Sequence, residues 1–316
     1  MIHERADRST LALLRIWVFG IWFVQLLFDP IEQLSALPDD LFRPPGFLGV
    51  VPDGVWAQLL EAHSLIAFRV VLLALLFLVA LGSFRRPYVP VVTAALVVVY
   101  QGLVRGYSGH VNHAEIMLMV AAMVMAFFPM SDVLSVRRPV RPGGKADATA
   151  RAAVLAVTIL FAASYFFVGA VRLWKGIDLF GTDTLRNLVA HHWVDTGGLD
   201  RGVYRLPHGA PVFDTLPAWL FQVLYVGATL LELAAPLVLV SKWARRLIPA
   251  GLLAFHVMNI GWLDIPFIEN MLMLVLFSDV WFPAVGRRLA RLEAEVREPD
   301  TAAAPVGPVA ATPRRT

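Results

Sequence analysis

Late in the chain, Phe255-His256-Val257-Met258-Asn259 places an imidazole and a carboxamide within an otherwise apolar stretch. Side chains three residues apart share one face of a helix. Burying such polar groups in hydrocarbon costs roughly 2–7 kcal/mol each unless they find partners. A histidine there has a pKa suited to moving protons near neutrality. Two readings stand at this point: a functional polar site inside a membrane, or hydrogen-bonding glue between helices.

Other polar groups invite chemistry less strongly. His110-x-x-His113 offers two nitrogen ligands with no thiolate and no third partner, so no metal site is expected. Bis-histidine haem is also not expected, because His113 and His256 fall at different depths. His191-His192 reads as a solvated or interfacial pair. Arg15 and Glu232 both sit inside apolar runs and are expected to pair with each other. Arg69 is expected to snorkel, or to pair with Asp29 or Asp264.

The elements that must position these groups follow from composition. Of the 316 residues, 58% are hydrophobic and 16% charged, with a mean hydropathy of +0.67. Soluble domains carry about 25% charged residues. The fold class implied is an all-α integral membrane bundle. The net charge of +3 comes from loop arginines, and no aromatic-interleaved basic motif points to nucleic acid. The absence of cysteine excludes disulfides, thiolate metal sites and cysteine nucleophiles.

Apolar runs of about 17–23 residues predict about eight spans in a single polytopic bundle over residues 1–286. They cover 11–28, 65–83, 88–104, 112–130, 152–174, 217–240, 247–263 and 266–283. The first is a retained helix, since Leu27-Phe28-Asp29-Pro30 offers no small-residue cleavage site. Arg5 and Arg8, Arg85 and Arg86, the run from Arg137 to Arg151, Lys242 to Arg246, and Arg287 to Arg291 alternate with segments poor in basic residues. The positive-inside rule then makes this a multi-pass cell-membrane protein with both termini cytoplasmic. The outer segments would be 29–64, 105–112, 175–216 and 264–266. The long outer loop 175–216 carries Trp193, Tyr204 and Phe213, enough for amphipathic structure over the outer opening. Residues 287–297 alternate Arg and Glu and read as a cytoplasmic helical extension, and 298–316 as a disordered tail.

Four stretches, in order, carry a family resemblance. They are Leu14-Arg15 through Phe28-Asp29-Pro30-Ile31; Asn112-His113; Tyr165-Phe166-Phe167-Val168-Gly169-Ala170-Val171-Arg172-Leu173; and Phe255-His256-x-Met258-Asn259 with Ile265-x-Phe267. The chain resembles the membrane domain of vitamin K-dependent gamma-carboxylase, which is shared with the horizontally transferred transmembrane (HTTM) proteins. That enzyme oxidises reduced vitamin K with oxygen, generating a strong base that deprotonates glutamate before carbon dioxide adds. In the family, the asparagine–histidine pair matching Asn112-His113 lies beside a lysine on the fifth span. Here that position is Arg172. Arginine stays protonated and cannot serve as a neutral amine. Lys175 is left either as a substitute amine or as an interfacial anchor.

The resemblance implies a membrane enzyme, carboxylase-like or a quinol-dependent oxidoreductase, with an outward-facing pocket for a quinone or lipid-like substrate. Glutamate carboxylation itself is disfavoured by Arg172. His113 would be the acid/base, with Arg172 holding an anion or developing oxyanion and Lys175 the third catalytic candidate. Asn112, His256 and Asn259 would line the substrate. The cofactor implied is a reduced, vitamin K-like quinone. The partners implied are the bilayer and that substrate, and no protein partner is identified. Because His113 and Arg172 stand at the boundary, their loss is expected to remove turnover and spare folding. The alternative is a non-enzymatic membrane module that binds a lipid or a protein.

Overall fold

A computed structural model describes residues 6–84, 86–107, 113–130, 133–136, 146–174, 217–263, 268–278 and 281–297. Those residues are helical and contain no strand. The long helices are α1 (Arg8–Phe28), α3 (Ala62–Ala80), α4 (Tyr88–Gly106), α5 (His113–Ala126), α6 (Ala146–Trp174), α7 (Ala218–Ala234) and α8 (Ala244–Leu263). Short α2 (Asp53–Leu59) precedes α3, while α9 (Ile268–Met273) and α10 (Trp281–Arg297) close the chain.

Helix α1 is the hub, in contact with α3, α5, α6 and α10. Its start is set by Asp7, whose carboxylate accepts from the Thr10 backbone at 3.0 Å while the Thr10 hydroxyl accepts from the Asp7 backbone at 3.2 Å. This reciprocal box satisfies two amides that a helix N-terminus leaves open. Pro30 stops the helix by disfavouring helical geometry at Asp29. Leu14, Val18, Phe19, Trp22 and Leu26 bury one side of α1, and the Trp17 indole donates to the Leu272 carbonyl at 3.0 Å.

Among the described residues, five helices are long and apolar enough to cross a bilayer: α1, α3, α4, residues 147–174 of α6, and residues 222–239. The last comprises α7 from Gln222 and the 3-10 turn Ala235–Leu239. Their outward faces are apolar as well, with Phe28, Val70, Phe77, Phe167, Val223 and Leu230 exposed, as a lipid-facing surface requires.

The expectation of eight spans is not met at that count among the described residues, and the reasons are local. The described part of helix α5 has 14 residues, about 21 Å at 1.5 Å per residue against about 30 Å of hydrocarbon, and the residues just before it lie outside the described ones. Helix α8 begins with Arg245 and Arg246 and carries His256 and Asn259. The last run breaks: α9 and the 3-10 turn Leu274–Phe277 are followed by α10 at 87°. Counted as one broken span, the pair makes six. Ser278 caps α10 by accepting from the Trp281 backbone at 3.0 Å, so this helix starts earlier than the expected 287–297 extension. The loop 175–216 and the tail 298–316 lie outside the described residues.

Two charge pairings expected from sequence are corrected. Arg15 does not meet Glu232. Its guanidinium is fully buried and donates to the carbonyls of Ala80, Met130, Val133 and Leu134. Arg69 takes Glu32 rather than Asp29, at 2.9 and 3.0 Å to the two carboxylate oxygens, with further donation to Leu26 and Leu27 carbonyls. In both cases the guanidinium fork finds acceptors at chain ends that no helical periodicity reveals.

Candidate functional site

Close helix crossings build the site. A side chain at Gly169 would bring its Cβ to 3.0–3.1 Å from atoms of Glu232 and Leu233, so α6 and α7 touch nearly backbone to backbone there. Gly251 plays the same part between α8 and Leu231 of α7, with a Cβ contact of 2.7 Å. Small residues that let helices approach closely are the usual device of membrane interfaces. Tyr165, four residues before Gly169, and Arg172, three after it, share that face of α6.

The crossings align four polar side chains. Tyr165 Oη and His256 Nε2 share a 2.7 Å hydrogen bond, its direction set by the imidazole tautomer, and both residues are buried. Arg172 Nη1 lies 2.8 Å from Glu232 Oε2. Neither of those two atoms makes a well-directed hydrogen bond, so the contact is chiefly an ion pair. Glu232 is 2% exposed and Arg172 22%, so the carboxylate is the deeper partner. The guanidinium lies over the rings of Tyr225 and Phe255, each 5.7 Å from its centroid, as cation–π packing prefers. Phe255 in turn meets the His256 ring at 5.5 Å, and Glu232 acts electrostatically on Tyr165. The two pairs form one continuous cluster across α6, α7 and α8.

Of the residues expected to form the site, Arg172 and His256 both lie against the Phe255 ring, Arg172 paired with Glu232 and His256 with Tyr165. Asn259 is buried on the next turn of α8. His113 begins α5, but its side chain, Asn112 and Lys175 lie outside the described residues. Sequence reasoning gave no role to Tyr165 and the wrong partner to Glu232. Both leave signals: Tyr165 stands two helical turns before Arg172, and Glu232 is the one carboxylate in the apolar run 217–240.

Comparison with protein-family models, curated proteins and solved structures returns no match for the chain. Function is therefore read from the side chains themselves. A tyrosine–histidine pair in an apolar setting can accept and return a proton. A guanidinium fixed by a carboxylate and two rings can stabilise a developing oxyanion. It remains a cation throughout, so the role of a neutral amine does not fall to it.

Proposed function

We propose that this chain is an HTTM-type membrane protein that binds a reduced quinone among α6, α7 and α8 and manages its protons at Tyr165 and His256. The observation that carries this reading is the buried Tyr165–His256 hydrogen bond beside the Arg172–Glu232 pair. Oxidation of a hydroquinone gives up two electrons and two protons. In this reading the hydroquinone becomes the quinone while molecular oxygen takes both electrons and, in the end, both protons to leave as hydrogen peroxide. One proton passes by way of Tyr165 and His256, and Arg172 faces the hydroquinone oxygen while it is deprotonated. His113, Asn112 and Asn259 complete the pocket by resemblance to the carboxylase, and Lys175 is an anchor at the helix end. Glutamate carboxylation is not proposed, because Arg172 occupies the amine position and an arginine cannot serve as a neutral amine.

Binding is tested by thermal unfolding of the detergent-purified protein with a short-chain naphthohydroquinone. At a ligand concentration of 100 times Kd the folded state gains about 2.7 kcal/mol. The Tyr165→Phe/His256→Leu double variant removes both polar partners together and should fold close to wild type. It should lose most of the ligand-induced shift. An undiminished shift in the double variant, or no shift in the parent, would remove the quinone from this site. A non-enzymatic module is the second reading, favoured by the way these four groups pair across helix interfaces, Tyr165 with His256 and Arg172 with Glu232.

The orientation proposed with this function places both termini in the cytoplasm, from the alternation of basic loops. The cysteine-free chain gives a clean labelling background. Ser135 is a poor reporter, because it is 3% exposed and donates to the Gly82 carbonyl. Its neighbour Val136 is 70% exposed. Val136→Cys should resist an impermeant maleimide in intact cells and react once they are permeabilised. Labelling from outside would invert the topology.

A further inference from the structure

On the side of the bundle formed by α1 and α9, an apolar groove of about 690 Å³ opens along one stripe of α1. Ile16, Gly20, Val24 and Phe28 recur every fourth residue along it, and Leu272 faces them from α9. The stripe from Ile16 to Asp29 runs about 20 Å. That slightly exceeds one leaflet's half of the roughly 30 Å hydrocarbon layer. The groove is therefore the length of one lipid tail.

Its far end is polar. Asp29, Glu269 and Gln25 line it there, and the Gln25 side-chain oxygen Oε1 is buried with no hydrogen-bond partner among the described residues. The Tyr100 hydroxyl donates to Asp29 Oδ2. Arg105 is close enough to act electrostatically on both carboxylates. Among the described residues two carboxylates stand against one guanidinium, and Asp29, Glu269 and Gln25 each present oxygen acceptors at this end. A head group that suits them carries one cation with several N–H donors. A phosphate ester beside that cation would find Arg105.

We infer that this groove holds a membrane phospholipid with a primary ammonium head group, its tail along α1 and its ammonium between Asp29, Glu269 and Gln25. A quaternary ammonium lacks the N–H donors, and a glycerol head group lacks the cation. Charge-assisted hydrogen bonds contribute about 1.5–3 kcal/mol, which corresponds to a head-group preference of about tenfold or more. The inference does not depend on the quinone reading, which concerns α6–α8.

The test is native mass spectrometry of the full chain in detergent, titrated with phosphatidylethanolamine, phosphatidylcholine and phosphatidylglycerol of identical tails. Phosphatidylethanolamine should bind about tenfold more tightly than the other two. Glu269→Gln should bring the three close together, and Asp29→Asn should act alike if the helix end tolerates it. Gly20 has open space where a side chain would begin, so Gly20→Phe should fold normally and block all three lipids. Equal binding of the three head groups, or an ethanolamine preference unchanged in Glu269→Gln, would overturn the inference. So would an intermolecular disulfide through Gly20→Cys, because a second copy would then fill the groove.

Discussion

Replacing Arg172 with leucine should destabilise the protein by about 3–5 kcal/mol, because it strands the buried Glu232 carboxylate without its counter-charge. Removing Glu232 should cost less, since the Arg172 side chain is partly exposed and can turn its charge toward the surface. Leucine at both positions should recover most of the loss, as replacing a buried pair by apolar groups is often neutral. A double-mutant cycle on thermal unfolding in detergent measures the coupling, expected at more than about 1 kcal/mol. Additive single effects would mean that the pair does not form. This prediction departs from the sequence-based expectation that Arg172, at the outer boundary, can be lost with folding spared.

Arg15 should prove at least as sensitive. It is fully buried and binds the carbonyl of Ala80 at the end of α3 and those of Met130, Val133 and Leu134, tying α1 to both sides. Glu293 of α10 accepts from the backbone amides of Leu134 and Ser135 at 2.7 and 3.2 Å, which brings a carboxylate to the same junction. Gly82, at φ +64°, closes over the guanidinium, where a Cβ would lie 2.7 Å from Arg15 Nη1. Each orphaned buried carbonyl costs about 1–3 kcal/mol, so Arg15→Met should lose about 3 kcal/mol or more. Arg15→Lys should recover only part of it, because an ammonium cannot span acceptors set out for a planar fork. Unfolding of Arg15→Met within about 1 kcal/mol of wild type would show that water replaces the side chain at these carbonyls.

How much of this was legible in the sequence depended on the range of the interaction. The limits of α1 follow from local chemistry: Asp7 and Thr10 cap its start and Pro30 forbids its continuation. Helices α3, α4 and α6 fall close to the apolar runs that announce them. The partners of Arg15 and Glu232 did not, because helical periodicity gives the face a residue occupies and not the helix that abuts it. Arg15 was harder still, since its acceptors are backbone carbonyls, which every residue carries. The bend in the last run was not legible, because Ser278, which accepts from the Trp281 backbone, lies between apolar stretches on either side. For the site, residue type pointed to His256 and the family resemblance to Arg172. The glycines at 169 and 251, to which no packing role was assigned from sequence, let the three helices approach closely.

Oxygen consumption by the purified protein, supplied with a reduced naphthoquinone, tests the central proposal most directly. The parent should take up oxygen in proportion to the hydroquinone oxidised. The Tyr165→Phe/His256→Leu variant, folded by its thermal transition, should fall to the uncatalysed background. Uptake at background in the parent, or at the parent rate in that variant, would contradict the assignment and leave the cluster as a device for packing α6, α7 and α8.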